Sequence, residues 1–286
     1  MRMFGRSKAA ALRTELRTLG VSVTPAGVGL VALSMREATI SVDYTAYASL
    51  TEGTPLDALR KCMDGYDGDL RRCVIGLGTE SMHIQSFMLN PGNDLRGALE
   101  LEKERLNRFE GATQTVVIPA GGLVDERTQV VAFVNTNDVQ ARVELCSEAG
   151  LEARHVDYDG CALGRACEGY DALVIVDGAA LTVCGFGKPF VRMRSFGDVN
   201  RSTLAVRIGE ATGTMVHDGV LEHVRKMAVL ADQPTLALLQ TSPRLKDITV
   251  EPLTIAEEVS PPWALAYGHA LYDIEASLDG EVSYAF

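Results

Sequence analysis

Two successive series of strand-like and helix-like segments run along the 286 residues, and this alternation constrains the fold more than any other feature. Apolar runs and apolar-polar alternation predict strands, whereas apolar residues spaced three or four apart predict helices. Strands that alternate with helices are typical of α/β proteins, whose sheets are covered by helices. The sequence therefore predicts an α/β fold, and the second series, which begins near residue 172, predicts two lobes.

The predicted elements follow this pattern along the whole chain. Strands are predicted at residues 28–34, 38–48, 72–77, 82–89, 113–119, 128–134, 153–156, 172–176, 180–186, 190–194, 235–239 and 248–250. Helices are predicted at residues 7–19, 94–109, 137–148, 159–167, 200–208, 216–230 and 261–278. A further helix is expected after Thr54, because a threonine N-cap followed by proline at the first helical position is a typical helix start.

The charge of the chain excludes one class of partner. The net charge is −11, but the first 20 residues carry +4, so the remaining 266 carry −15. An acidic body repels the phosphates of DNA and RNA, so we do not expect a nucleic-acid binder. The basic N-terminal segment is predicted either as a solvated tail or as a short helix for docking.

The apolar segments and the cysteines indicate a cytoplasmic protein. No stretch approaches the roughly 18 consecutive apolar residues of a membrane span, and the N-terminus lacks the apolar core of a secretory signal. The six cysteines form no Cys-x-x-Cys pair and have no histidine at zinc-binding spacing. We therefore expect reduced thiols that pack as small apolar residues in the core.

Familiar catalytic patterns are missing from the sequence. It contains no Gly-x-Ser-x-Gly, Walker A, Gly-x-Gly-x-x-Gly or His-Glu-x-x-His motif. The five histidines are scattered, and His217 and His223 are six residues apart, so they do not share one helix face as two zinc ligands would. The residues alone therefore predict neither a catalytic group nor a metal site.

Several segments, taken in order, carry a resemblance to a known family. They are CVIGLGTESMHIQSFMLN at 73–90, DLRGALELEKERLNRF at 94–109, and the strand-helix-AGL-strand-D-AL pattern at 129–166. Residues 172–213 and PPWALAYGHAL at 261–271 complete the series. Together they resemble PilM, the actin-like cytoplasmic protein of type IV pilus machines, over about four-fifths of the chain.

The resemblance implies a two-lobed actin-like fold, which is a duplicated ribonuclease H-like fold, and a division of the chain. A basic N-terminal arm would occupy residues 1–19, and a first lobe 20–168 would include an inserted subdomain at about 72–150. A second lobe would occupy 169–286. This second lobe is reduced, because only about twenty residues, 213–233, stand where the family has a long helical segment near the adenine.

The first nucleotide loop of the family is altered in this chain. Actin-like ATPases cradle ATP with two hairpin loops, each typically Asp-x-Gly, because glycine lets backbone N–H groups approach the phosphates. Ser22 stands where the first loop would have Asp, and Thr24 stands where it would have Gly. Pro25 also removes a backbone donor. A working first phosphate loop is therefore not expected.

The second lobe retains only part of the nucleotide motifs. Asp177, Gly178 and Thr182 are the remaining candidates for binding a nucleotide, although Gly178 directly follows Asp177, so the loop either has lost a residue or has Ala179 in the position of the glycine. The strand predicted at 235–239 is not followed by the usual Gly-Gly pair. The resemblance therefore implies a pseudo-ATPase for which no cofactor is expected.

A PilM-like chain implies a non-catalytic cytoplasmic scaffold of a type IV pilus or related secretion machine, held at the inner membrane through partners. PilM proteins bind the short N-terminal cytoplasmic segment of a single-span PilN-like membrane protein, between the first-lobe core and the inserted subdomain. Two candidates for partner binding follow from position. One is the 82–89 strand with Met82, Ile84 and Phe87, whose edge can accept an extended peptide, and the other is the helix predicted at 94–109, which carries Glu102. An acidic body suits a basic peptide. Further machine components and a homo-oligomer are left open.

Two alternatives also remain open from the sequence. One is an actin-like ATPase or nucleotide-switched protein that binds ATP and magnesium between its lobes; Asp177, Gly178 and Thr182 favour it, and Ser22 and Thr24 disfavour it. The other is an adaptor that docks on a peptide or a membrane surface through residues 1–19.

Overall fold

The computed structural model describes residues 15–37, 39–51, 53–88, 94, 97–99, 107, 109–118, 128–177, 179–187, 191–255 and 263–279. Contacts within the chain divide it into two compact units. The first takes in the described residues of Met1–Gly78, Asp138–Ala166 and Ile255–Phe286. The second takes in those of Thr79–Asn137 and Cys167–Thr254.

The described residues form strands and helices in the alternating order that the sequence predicts. The strands are β1 Leu16–Val23, β2 Gly27–Arg36, β3 Thr39–Ser49, β4 Arg72–Leu77, β5 Met82–Met88, β6 Thr113–Ile118, β7 Thr128–Asn135, β8 Glu152–Tyr158, β9 Ala172–Asp177, β10 Ala180–Phe186, β11 Val191–Phe196, β12 Lys226–Leu230 and β13 Thr249–Pro252. The helices are α1 Pro55–Asp64, α2 Thr136–Glu148, α3 Asp159–Ala166, α4 Arg201–His217, α5 Gln233–Gln240 and α6 Ala264–Asp279.

The first unit is built on a five-stranded sheet with the order β3-β2-β1-β4-β8. The three strands β3, β2 and β1 are antiparallel, and β1, β4 and β8 run parallel. One face of the sheet packs with residues of α1 and α2, among them Leu59 and Cys146. The other face carries Val31 and Leu33 of β2 against Ala270 of α6. Helices therefore cover both faces of this sheet.

Helix α1 begins where the sequence predicts it. The Thr54 side chain accepts a hydrogen bond from the backbone N–H of Asp57, whose carboxylate accepts from the Thr54 backbone N–H, so the two residues form a capping box. Pro55 occupies the first turn, where its missing N–H costs nothing. The hydrogen bonds from Thr54 lower the pKa of Asp57.

The second unit contains two sheets. The larger has the order β11-β10-β9-β12-β13, and its core combines strand residues such as Val174 and Val183 with Ile208 of α4 and Leu236 of α5. Asn200 caps α4 by accepting hydrogen bonds from the N–H groups of Ser202 and Thr203. The smaller sheet has three antiparallel strands in the order β5-β7-β6.

The predicted helix at 7–19 is wrong over its last five residues, because Glu15 is not helical and the next four residues belong to a strand. Leu16–Val23 forms β1, which pairs with β2 along its whole length and with β4 at Gly20 and Val21. Leu19 and Val21 alternate into the core, so the period of two prevails over the helical spacing of Leu12 and Leu16. The rest of that prediction lies outside the described residues.

Two predictions in the second unit are also wrong. The helix predicted at 216–230 is absent, because α4 ends at His217, Gly219 adopts a positive φ of 71°, and Lys226–Leu230 forms β12. The strand predicted at 235–239 is part of α5, which Asp232 caps and which has proline in its first turn. A continuous apolar run does not distinguish a buried strand from a helix, and the start signal at Asp232 decides.

The last helix belongs with the first sheet, whereas the sequence placed residues 169–286 in the second lobe. Helix α6 packs against β1, β2 and α3, so the chain returns to the first unit after Thr254. Of the helix predicted at 94–109, residues 97–99 are helical, Asn107 and Phe109 are not, and the remaining residues except Asp94 lie outside the described part.

Candidate functional site

The turn between β1 and β2 uses its own polar groups. The N–H of Thr24 donates to the Gly27 carbonyl at 2.9 Å, and the N–H of Gly27 donates to the Thr24 carbonyl at 3.2 Å. Pro25 has no N–H. The carbonyl of Ala26 accepts from the N–H of Leu50 at 3.1 Å, which ties the turn to the end of β3. Within the turn, the N–H of Ala26 alone makes no hydrogen bond to the backbone, so the turn has few free N–H donors for a phosphate.

Ser22 lies on β1 just before this turn and is almost fully buried, with 2 % of its surface exposed. It pairs in register with Gly29 of β2. A serine at this position has a neutral hydroxyl in place of the carboxylate that the family's motif requires, and hard cations such as Mg²⁺ favour charged oxygen ligands. Position 22 therefore lacks the acidic group, and the serine that replaces it is also buried.

The second hairpin, between β9 and β10, is a tight turn. Asp177 pairs directly with Ala180, so only two residues connect the strands. The Ala179 carbonyl accepts from the N–H of Val199 at 2.8 Å. The structure describes only the backbone of Asp177, and Gly178 lies outside the described residues. Thr182 lies further along β10, with its hydroxyl 3.1 Å from that of Ser195 across the hairpin.

The strand-to-helix connection of the second unit lies at β12 and α5, and not at the predicted strand 235–239. Ala231 and Asp232 follow β12, so this strand, like the segment 235–239, is not followed by a pair of glycines. The Asp232 carboxylate accepts from the N–H of Thr235 at 2.8 Å, and this hydrogen bond lowers the pKa of Asp232. The connection is therefore occupied by a helix cap.

The candidate partner-binding residues of β5 lie at one side of the three-stranded sheet. Met82 pairs with Val134 and is buried, and Ile84 pairs with Ala132 and is half-buried. Residues 82 and 84 share one face of the strand, because side chains alternate along it. Phe87 is described through its backbone in β5 only, and Glu102 lies outside the described residues. Among the described strands, β5 pairs with β7 alone, so its other edge is open.

The cysteines occupy the positions expected of small core residues. Five of them are buried, Cys161 is half-buried, and none of the six forms a disulfide. Cys73 and Cys146 lie with their Sγ atoms 3.6 Å apart in the first core. Burial raises the pKa of the Cys62 thiol to about 11, which disfavours the reactive thiolate.

A cluster of charged residues in the first unit escaped the sequence analysis. His269, which had no assigned role, lies between the carboxylates of Asp157 and Asp159, and Arg165 also contacts Asp157. About 110 residues separate His269 from the two aspartates. The Asp-x-Asp pair at the end of a predicted strand was the only local signal, and nothing in the sequence paired it with this histidine.

No protein-family model and no curated protein matches this sequence. Solved structures do match it. PilM of a PilM–PilN type IV pilus biogenesis complex aligns over 91 % of this chain and 98 % of its own, with a TM-score of 0.58 and 16 % identity. This chain has an actin-like α/β fold. The cytoplasmic domain of EpsL, an inner-membrane component of the type II secretion system of Vibrio cholerae, aligns over 90 % and 95 %, with a TM-score of 0.57 and 18 % identity.

The shared fold confirms the fold class predicted from the sequence. The β1–β2 turn and the β9–β10 turn lie at the residues where the family's two phosphate loops were expected, whereas the Gly-Gly pair was expected after the segment 235–239, which is helical. Each of the three departs from the motif in the chain's own residues. Among the described helices, none is long and apolar enough to cross a membrane.

Proposed function

We propose that this protein is a non-catalytic scaffold of a type IV pilus or type II secretion machine, which acts in the cytoplasm and binds a membrane-anchored, PilN-like partner. One observation carries the proposal: the chain shares its fold along nearly its whole length with PilM, solved in a complex with PilN. Its likeness to cytoplasmic EpsL supports the same class of machine. A docking role of the basic residues 1–19 and the formation of a homo-oligomer are both compatible with this function.

The state of the nucleotide motifs supports a role without ATP. The Thr24–Gly27 turn is closed by its own hydrogen bonds, and Ser22 replaces the expected acid. Asp232 caps helix α5 after β12, and no glycine pair follows this strand. Since the three contacts to phosphate, metal and adenosine are altered together, we infer that no nucleotide cofactor is needed.

The open edge of β5 is the docking surface that we propose for the partner segment. An edge strand presents unpaired N–H and C=O groups to which an extended peptide can add as a further strand. Ile84, half-buried beside this edge, provides apolar contact. The net charge of −11 favours the approach of a basic segment. A juxtamembrane cytoplasmic segment rich in lysine and arginine fits these properties.

Affinity capture tests the proposal directly. The full chain would be incubated with a membrane extract that contains the tagged single-span membrane protein encoded beside it, with and without that protein's cytoplasmic N-terminal segment. We expect capture that requires the segment. Two results would overturn the proposed mode of partner binding: equal capture of the membrane protein that lacks the segment, or no capture of the membrane protein that contains it.

The rival function is an actin-like ATPase. The observation in its favour is that the chain retains Asp177 at the end of β9. Hydrolysis assays with ATP and magnesium distinguish the two. We expect ATP hydrolysis at the same rate with and without the protein. Hydrolysis by the unmodified chain that Asp177→Asn abolishes would favour the rival function.

A further inference from the structure

His269 is the centre of a fully buried charge cluster in the first unit. None of its surface is exposed, and Asp157 and Asp159 expose 3 % and 7 %. Its Nδ1 atom lies 2.9 Å from Oδ2 of Asp157, and its Nε2 atom lies 3.0 Å from Oδ1 of Asp159. Both ring nitrogens therefore face a carboxylate oxygen at hydrogen-bond distance.

Three elements bring these groups together. Asp157 lies near the end of β8, Asp159 is the first residue of α3, and His269 lies in the second turn of α6. Gly76 of β4 pairs with Asp157 and makes the space, because a Cβ there would overlap both the Asp159 carboxylate and the His269 ring. The cluster thus fastens α6 to α3 and to the carboxyl ends of two parallel strands.

The contacts require two N–H donors on one imidazole ring. A neutral imidazole has one N–H, and its other nitrogen carries a lone pair. That lone pair would face a carboxylate lone pair 3 Å away, which is repulsive in a buried setting. An imidazolium donates from both nitrogens and satisfies both aspartates.

The charges around the ring give the same result. Asp157 on β8 and Asp159 on α3 each carry a negative charge, and Arg165 on α3 carries a positive one and contacts Asp157. Arg165 also donates from Nε to the Gly268 carbonyl of α6 at 2.9 Å. β4 contributes only the uncharged Gly76. With both aspartates ionised, the cluster is neutral overall when His269 is positive and has a net negative charge when His269 is neutral, and an unbalanced buried charge is costly.

The outer neighbours of the cluster form a second, less buried layer. The Arg165 guanidinium lies 5.3 Å from the centre of the Tyr272 ring, which lies 4.9 Å from that of His155. His155 and Arg154 lie 3.9 and 3.5 Å from the Asp273 carboxylate. Among the residues that the structure describes, Asp157 and Asp159 are the anions that act on His269.

Electrostatics set the direction of the proton equilibrium. Burial alone lowers the pKa of His269, but the hydrogen bonds and negative charges of Asp157 and Asp159 outweigh it, so the pKa is raised above its ordinary 6.5. The folded chain therefore holds a proton that the unfolded chain releases once the pH exceeds about 6.5.

We infer that His269 is an internal cation at neutral pH that locks α6 onto β8 and α3, so that the first unit takes up most of one proton when it folds there. The sign follows from linkage: the stabilisation is fully present below about pH 6.5 and is lost as the pH rises through the raised pKa of the folded state. Asp157 and Asp159 lie at the carboxyl end of β8, and α/β folds commonly bind ligands at the carboxyl ends of parallel strands. In this chain, His269 and Arg165 pair with the two carboxylates.

Nitrogen NMR of the histidine rings in the intact chain is the direct test. At pH 7.5 we expect both ring nitrogens of His269 to be protonated. A neutral ring at His269, with one protonated nitrogen, would overturn the inference.

Urea unfolding between pH 6.5 and 9 provides the second test. Trp263, the single tryptophan, packs beside α6 and reports on the unfolding of this part of the first unit. We expect one extra proton in the folded state to change the folding equilibrium constant by up to about tenfold per pH unit. His269→Gln should remove this contribution, and the matched control His217→Gln, at an exposed site, should retain it.

Asp159→Asn keeps the test decisive if His269→Gln fails to fold. An asparagine amide can donate to Nε2 of a neutral His269, while Nδ1–H still donates to Asp157. We expect this variant to fold and to lose the proton uptake. An unchanged pH dependence in Asp159→Asn would contradict the inference.

Discussion

Gly20 of β1 lies directly against Ala266 of α6, and a Cβ atom at position 20 would overlap the carbonyl oxygen of Ala266. The neighbouring atoms are backbone, namely the carbonyl of Ala266 and the N–H of Ala270, so they cannot move aside as a side chain would. This contact lets α6 pack closely on the sheet. The same reasoning holds for Gly268, whose Cβ would overlap the carbonyl of Ala162 on α3.

We expect Gly20→Ala to destabilise the first unit by about 1–3 kcal/mol or more, because overpacking against backbone forces the helix away from the sheet. Urea unfolding followed by Trp263 fluorescence measures this loss. Gly209→Ala is the matched control: Gly209 is an exposed residue of α4 with no neighbouring atom within 4 Å of the added Cβ. That change should instead stabilise the chain by about 0.5–1 kcal/mol. Equal stability of Gly20→Ala and the unmodified chain would contradict the close packing.

The cap at Asp232 gives a second prediction. Asp232→Ala should lower the unfolding midpoint of the second unit, because the N–H of Thr235 loses its acceptor, and Asp232→Asn should retain most of the cap. Since the pKa of Asp232 is lowered, its contribution is present at neutral pH and is lost as the pH falls through that lowered value. Circular dichroism across pH 2–7 measures both effects. An equal loss in Asp232→Asn and Asp232→Ala would argue against the capping role.

Four of the five strands of the first sheet, β2, β3, β4 and β8, could be predicted from their apolar patterns, whereas the first four residues of β1 were assigned to a helix. The predicted strand 72–77 coincides with β4, and the alternation after Gly27 marks β2 and β3. The segment from Thr235 to Leu239 was predicted wrongly, since an apolar run fits a strand and a helix equally well and its cap, Asp232, lies three residues earlier. His269 and Asp157 could not be paired from the sequence, because a contact over 112 residues leaves no local pattern.

The nucleotide motifs illustrate the same division. Ser22, Thr24 and Pro25 could be recognised as departures from residue type alone. Their structural meaning could not, because the mutual hydrogen bonds of Thr24 and Gly27 depend on the register of β1 and β2. The β12–α5 connection was also missed, because the apolar run at residues 235–239 fits a strand and a helix equally well.

Nucleotide binding should be absent from the intact chain. Titration calorimetry with ATP and magnesium should give no saturable heat, because the Thr24–Gly27 turn satisfies its own N–H groups and Ser22 supplies no carboxylate. Binding at micromolar ATP would show that the altered loops still hold phosphate and would favour the rival function.

The docking surface gives a prediction about one side chain. Ile84→Asp should weaken binding of the partner peptide by about tenfold or more, since it places a charge beside the open edge of β5 and removes apolar contact. Thr115→Asp, an exposed site on β6 at the opposite edge of the same sheet, is the matched control and should bind as the unmodified chain does. Fluorescence anisotropy of a labelled peptide measures both. Equal affinity of the two variants would exclude the β5 edge.

The central claim is that this actin-like chain works by binding a peptide from a membrane-anchored partner. The most direct measurement is titration calorimetry of the full chain with a synthetic peptide that covers the cytoplasmic N-terminal segment of the single-span protein encoded beside it. We predict saturable binding with one peptide per chain, weakened by added salt because an acidic protein attracts a basic segment. A peptide that gives no saturable binding at low salt would contradict the account.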